Sequence, residues 1–470
     1  MAAFIGIDAG TSAVKAVAFD EHGQPLHTES RPLRLDIQGG HVEQDMDEVY
    51  GAVQEVTGAL TARIGRPALV GLTGQGDGVW LVDESGRGVR PAISWMDGRA
   101  RDLVEEWQAA GIVDTVYRRT GSALFPGCPG PVLAWLDRHE PASLDAAAAA
   151  VACKDMVFQR LTGVRATDVS DASMPFLDPR TRDYGDEVVA ALGLAHRRRL
   201  LPAISDPIAV AELPSGAPLT SGPYDLAACA EGAGVTSAGD GLLIVGTCLA
   251  ALVVTRDLDL AGEPAGLHIS TDRKGQWLRA MPAMVGTAAL DWVLGITGVS
   301  HAEVDAVLDA TGPGARGVRA LPYFAPSGER APFVEPRLRA QFTGVSLETS
   351  REDLVRAVCE GIGFAARHCL EAAGLTGSPT LCGGGTRSSA WTRLFADVLG
   401  RPLRIAEGEV GARGAVLTAA GRCGREVDTA EWTAPVEVVE PDPARAVFYA
   451  KAYEDHLEQL ATARALARAS

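Results

Sequence analysis

The stretch FIGIDAGTSAVKAVAFD occupies residues 4–20. It reads as two apolar strands, Phe4–Asp8 and Val14–Phe19, joined by a short polar tip. The tip gathers the carboxylate of Asp8, the flexible backbone of Gly10 and the hydroxyls of Thr11 and Ser12. Glycine lets a backbone turn tightly and turn its N–H groups toward phosphate oxygens. Hydroxyls add donors, and a carboxylate can hold Mg²⁺ directly or through water. Alone, such a tip is equally a capped turn.

The middle of the chain repeats the pattern. GDGLLIVGTCLAALVV (239–254) is again an apolar run, a Gly246-Thr247 tip and an apolar run. Two such hairpins, each opening one half of the chain, predict duplicated α/β domains with a boundary near residue 238: an N-terminal domain over 1–237 and a C-terminal domain over 238–470. A nucleotide lying between them would meet one tip from each side. The length of 470 residues also favours two cores over one.

Outward from the first hairpin, a further strand is expected over Pro25–Ser30 after the turn Asp20–Gly23. A helix follows, with Asp45 and Glu48 as a capping box and Val49, Val53, Val56, Leu60 and Ile64 at helical spacing. ALVGLTGQGDGVWLVDESGRG gives two strand-like runs around a Gly-rich corner, and strands alternating with long helices indicate an α/β fold. Ala146–Ala150 reads as a helix or strand flank, TGPGARG (311–317) as a loop, and Pro443–Ser470 as a closing helix.

Bulk composition removes several classes of function. A formal charge of −17 argues against nucleic-acid and anionic-membrane surfaces. Eight cysteines without a C-x-x-C pair suggest neither a zinc site nor a disulfide framework, and fit a reducing cytoplasm. The N-terminus has no basic region before its short apolar run, so no secretion signal is expected. Apolar runs stay below the roughly 20 residues that span a bilayer. P-loop and H-E-x-x-H motifs are absent.

Four further segments carry possible chemistry. LCGGGTRSSAWTRLFADVLGRPL (381–403) runs a strand end into Gly383-Gly384-Gly385 and then a helix, which suits close approach of a base or sugar, or a structural turn. Gly74-Gln75-Gly76-Asp77-Gly78 with Trp95 downstream supplies amide, carboxylate and indole, a set that fits a polyol or a polar loop over a core tryptophan. Asp225, in LTSGPYDLAACAEGAG (219–234), stands at an expected helix start, as a cap or as a carboxylate placed to take a proton. EVGARGAVLTAA (409–420) puts small residues where two helices, or a helix and a ligand, must touch.

Taken together, these segments resemble the FGGY carbohydrate kinases of the actin-like ATPase superfamily nearly end to end. GHVEQD, ISWMDGRA, PYFAPSGERAPF and QFTGVSLETSREDLVRAVCEG (341–361) fall in the family order. The resemblance implies two ribonuclease-H-like domains with a central nucleotide cleft, ATP and Mg²⁺ as cofactors, and phosphoryl transfer to a sugar or polyol. It implies Asp225 as general base and Asp8 as metal ligand. It also implies ATP contacts at Gly10, Thr11, Ser12, Gly246, Thr247, Gly286, Gly384 and Gly385, and substrate contacts at Gln75, Gly76, Asp77, Trp95 and Asp225. Departures are Val132 where a lysine is usual, Cys248 after Gly-Thr, and a short LPSGAP lead-in to Asp225.

TGQGDGVWLVD, CKDMVFQRLTGVRATDVSDAS and ALGLAHRRRLLPAI imply a four- or five-carbon polyol such as erythritol. L-xylulose or a related pentulose comes next. An actin-like ATPase without a metabolite acceptor, or a non-catalytic nucleotide-binding protein, ranks lower. The partner implied is a small molecule, with neither nucleic acid nor membrane; homodimers are common among such proteins.

Overall fold

A computed structural model describes residues 3–469, so the Ser470 end of the expected closing helix lies outside the described residues. The chain divides into two compact units. The first comprises residues up to Gly234, Arg256–Leu278 and Glu409–Ala434; the second comprises Val235–Thr255, Arg279–Gly408 and the chain from Pro435 onward. This division is discontinuous, unlike the single cut read from the sequence at 237/238. The physical reason is the helix Val410–Arg422, which packs on the first unit's sheet. A Cβ on Gly6 or Gly71 would stand 2.1 and 2.2 Å from the carbonyl oxygens of Ala412 and Ala415, so only bare backbone lets the helix lie so close.

In the first unit the opening hairpin forms as read, with Phe4–Ala9 antiparallel to Ala13–Phe19 and the latter antiparallel to Pro25–Pro32. Leu69–Gly74 runs parallel to Phe4–Ala9 in the register Ile5↔Val70, and Pro218–Ser221 runs parallel on its far side. Val210–Glu212 closes the edge antiparallel. Every residue of Leu69–Gly74 is buried, as expected of a central parallel strand covered on both faces. The helix Met46–Ile64 covers one face with Val49, Val53, Val56 and Leu60. Its first N–H groups, those of Asp47 and Glu48, donate to the Asp45 carboxylate.

The second unit repeats this plan. Gly241–Val245 is antiparallel to Leu249–Thr255 and parallel to Pro379–Cys382. Leu403–Ile405 follows in parallel, and Glu437–Val439 closes the edge antiparallel. Its core is built around the helices Arg351–Ala372 and Ser389–Leu399. Pro443–Ala469 forms the closing helix. The expected loop at 311–317 contains a helix end at Thr311 and a 3₁₀ turn at Ala315–Gly317. Ala146 ends a helix and Ala149 starts a short strand.

Candidate active site

In the first unit a closed hydrogen-bond circuit ties the hairpin tip to the loop after Leu69–Gly74. The Trp95 indole Nε1 donates to Thr11 Oγ1 (2.9 Å), which donates to Gln75 Oε1 (2.9 Å). Gln75 Nε2 donates to Gln44 Oε1 (2.8 Å), and Gln44 Nε2 donates back to the Thr11 carbonyl (3.0 Å). Both glutamines are buried, so their amides need these partners. The Thr11 proton is committed to Gln75. Ser12 is exposed, and its carbonyl accepts from Leu33 N. The Gly10 carbonyl lies 3.5 Å from Gln75 Nε2.

The 75–78 loop is shaped by near-contacts with backbone and rings. A Cβ on Gly76 would fall 1.8 Å from the Tyr224 ring, so the loop lies flat on that face. Gly78 N donates to the Gly127 carbonyl (3.0 Å). Gly127 in turn leaves only 1.9 Å between a hypothetical Cβ and the Trp95 carbonyl oxygen. The missing side chain at 127 is therefore a packing requirement of Trp95. Asp77 adopts a left-handed φ of 54° at the corner.

Asp8 and Asp225 are both half-buried. Burial first, then Glu409, pushes the Asp8 carboxyl up to about 6, against the pull of Lys15. Lys15 Nζ itself bonds both Glu409 oxygens (3.0 and 3.1 Å). Burial, then the charges of Asp8 and Asp171, holds Asp225 well above the usual carboxylate range. Asp225 Oδ1 is sealed from solvent with no hydrogen-bond partner. Asp225 is the first residue of the helix Asp225–Gly232, and Tyr224 occupies the cap position, so a capping role does not explain the carboxylate. A poorly solvated carboxylate raised by neighbouring charge is suited to accepting a proton.

In the second unit the expected residues gather around the end of Gly241–Val245. Thr287 N and Ala288 N donate to the Gly246 and Thr247 carbonyls (2.8 and 3.3 Å), docking the tip on the start of the helix Thr287–Thr297. A Cβ on Gly286 would lie 2.4 Å from the Thr247 oxygen. Gly385 lies similarly close to the Val245 side chain, and Gly384 approaches the Val245 carbonyl. Cys248 contributes its carbonyl to Gly246 N (3.1 Å), which any residue could supply. Val132 is fully buried core.

Family models describe this arrangement. The N-terminal domain of the FGGY family of carbohydrate kinases matches residues 3–211, and the C-terminal domain of that family matches residues 241–422. The chain belongs to the FGGY family of carbohydrate kinases. This FGGY kinase is 35% identical to an erythritol kinase of Brucella abortus, over 97% of its own length and 95% of the relative's. It is 32% identical to a xylulose kinase of Escherichia coli over 85% of each chain. A solved gluconate kinase from Lactobacillus acidophilus superposes with a TM-score of 0.92 over 98% of each chain, at 23% identity. The FGGY kinase is thus a phosphotransferase with two actin-like ATPase domains, and its family implies ATP as donor. Among the described residues no helix is long and apolar enough to cross a membrane.

Two features of this FGGY kinase escaped the sequence reading. Gln44 lies in the quoted GHVEQD segment, yet its bonding to Gln75 and Thr11 depends on a pairing across the fold. Lys154, in CKDM, carries no local mark of burial in the sequence. It is fully buried among Asp155, Asp168 and Asp171, with its ammonium 2.5, 2.7 and 2.9 Å from one oxygen of each. Burial alone would lower that ammonium, but the three carboxylates hold it well above its usual range.

Proposed function

We propose that the chain transfers the γ-phosphoryl group of ATP to a hydroxyl of erythritol or a similar four- or five-carbon polyol, with Asp225 as general base. The observation that carries this reading is Asp225 itself. Its Oδ1 has no hydrogen-bond partner, and its proton affinity is raised by burial and by Asp8. Gln75 and Trp95, joined through the Thr11 circuit, supply the polyol contacts together with Gly76 and Asp77. In the second unit the Gly246-Thr247 tip with Gly286, and Gly384-Gly385, take phosphate and adenosine; in the first unit the amides of Gly10, Thr11 and Ser12 take phosphate.

The donor set near Asp8 fits a divalent cation, because Asp8, Asp225 and Glu409 together outweigh the charge of Lys15. Asp8 would hold Mg²⁺, which when bound supplies neutralisation of the phosphate charge. Asp225 accepts the acceptor's hydroxyl proton as the new P–O bond forms and the bond to ADP breaks. Eight free cysteines support placing this reaction in a reducing cytoplasm.

ADP release with Mg²⁺ and ATP across erythritol, the threitols, D- and L-xylulose, the ribuloses, ribitol, xylitol and glycerol tests the reading. Strongest turnover on a tetritol is expected. The 32% identity to xylulose kinase favours a pentulose as the second reading. A pentulose preference would change the acceptor and keep the mechanism. No turnover with any member of the panel would overturn the proposal.

A further inference from the structure

The four residues before Asp225 are each held from below. Ser221 Oγ donates to Asp155 Oδ1 (3.1 Å), and Gly222 N donates to the Leu72 carbonyl (2.9 Å). The Pro223 carbonyl accepts from Thr73 Oγ1 (2.6 Å), and Tyr224 N donates to Ser170 Oγ (2.9 Å). Gly222 sits at φ +123°, and a Cβ there would fall 2.7 Å from Asp168 Oδ2 and 3.3 Å from Lys154 Cε. Backbone without a side chain is what lets the segment press onto these groups.

Two of these anchors lead to the same ammonium. Asp155, which takes the Ser221 hydroxyl, also bonds Lys154 Nζ. Asp168 accepts from Ser170 N (2.7 Å) and from Ser170 Oγ through one oxygen, and faces Lys154 Nζ at 2.7 Å with the other. Asp171 completes the set at 2.9 Å. The three carboxylates stand close enough to hold a metal ion, but the Lys154 ammonium already lies among them. Without it, three carboxylates would share one sealed space, and no two of them would keep their present separation.

We propose that Lys154 is a positioning residue for phosphoryl transfer. Its ammonium fixes Asp155 and Asp168, these fix Ser221 and, through Ser170, Tyr224, and the segment so held aims Asp225 at the acceptor hydroxyl. The inference rests on Asp225 being the base. A base displaced by about 1 Å loses roughly a hundredfold in rate while the ligands still bind.

The test compares Lys154→Met, Ser170→Ala, Ser170→Thr and Asp225→Asn in the full chain, with MgATP and whichever of erythritol, D-xylulose and L-xylulose the wild type turns over fastest. Lys154→Met should lower kcat about a hundredfold. Ser170→Ala, which removes the hydroxyl's bonds to both Asp168 and Tyr224 N, should lower it roughly tenfold, the other anchors of the segment remaining in place. Both should leave KM for ATP and for the acceptor near wild type, and Ser170→Thr, which keeps the hydroxyl, should restore most of kcat. Should Lys154→Met fail to fold, the Ser170 pair decides alone. Wild-type kcat in Ser170→Ala, or a loss seen only in KM, or no recovery in Ser170→Thr, would overturn the proposal. Asp225→Asn separates the two claims: turnover retained there removes the base itself. Turnover lost there but kept in Ser170→Ala removes only the positioning.

Discussion

The two hairpin tips are built on the same strand plan and do opposite things with it. In each unit an opening strand pairs antiparallel with its hairpin partner on one side and parallel with a buried strand on the other. The first tip is then loaded with side chains: Asp8 at the strand end, Thr11 in a circuit with Trp95, Gln75 and Gln44, and Lys15 with Glu409 nearby. The second tip itself offers mainly backbone, pinned by Thr287 N and crowded by Gly286 and Gly385, with the Cys248 thiol and the charges of Glu329 and Arg330 beside it. Duplication thus supplies two equivalent turns, and only the first carries a carboxylate on its opening strand. The other remains a rigid surface of peptide groups.

That contrast can be broken at its strongest point. Asp225→Asn, in the charged unit, is expected to lower kcat by about 10²–10⁴-fold, the usual worth of a general base, with ATP binding retained. Nucleotide titration alongside turnover checks both halves, and wild-type turnover would move the proton chemistry elsewhere.

The second unit's own titration is expected to affect folding instead of catalysis. His456 is buried against Phe364, and burial pushes its imidazole down to about 3, with His368 adding to the shift. Its neutral form stabilises the fold fully above the ordinary value of 6.5, and that contribution is lost as pH falls toward 3. Between pH 7 and 4.5 the loss is at most about 3 kcal/mol. His456→Gln should therefore close the stability gap between those pH values relative to wild type, read from urea midpoints. An unchanged gap would show that the imidazole takes up its proton alike in the folded and unfolded chain.

A smaller effect sharpens the backbone half of the comparison. Gly286→Ala would force its methyl to within 2.4 Å of the Thr247 oxygen. It should raise KM for ATP roughly tenfold, about 1.4 kcal/mol, and leave the acceptor's KM alone. Equal rises in both constants would mean that the tip serves more than the nucleotide. Smallest is Trp95→Phe, which keeps the ring face and removes the bond to Thr11. One hydrogen bond of about 1 kcal/mol predicts roughly a fivefold rise in acceptor KM. No change would assign the circuit to folding alone.

What the sequence made legible follows physical range. The hairpins at 4–19 and 241–255 were readable because apolar runs, glycine and tip chemistry are local. The helix start at Asp45 and the placement of Asp225 at the head of a helix were readable for the same reason. Gln44 sits inside a legible motif, yet its meaning depends on Gln75 and Thr11 arriving from other segments. Lys154 was invisible because a lysine beside an aspartate is ordinarily solvated, and two of its three carboxylates, Asp168 and Asp171, arrive together from another segment. The return of Glu409–Ala434 to the first unit was equally hidden: glycines at 6 and 71 mark a close approach only once the approaching helix is known.

That returning helix also constrains how the molecule is made. Phe4, Val17, Phe19 and Leu69 form one apolar cluster with Ala412, Val416, Leu417 and Trp432. A ribosome delivers the first four long before the last four, so the nascent N-terminal half leaves that face uncovered for most of its synthesis. Completion of the first unit waits on Glu409–Ala434, and a chain stopped short of Glu409 would carry Asp8 and Asp225 beside a sheet face stripped of its covering helix.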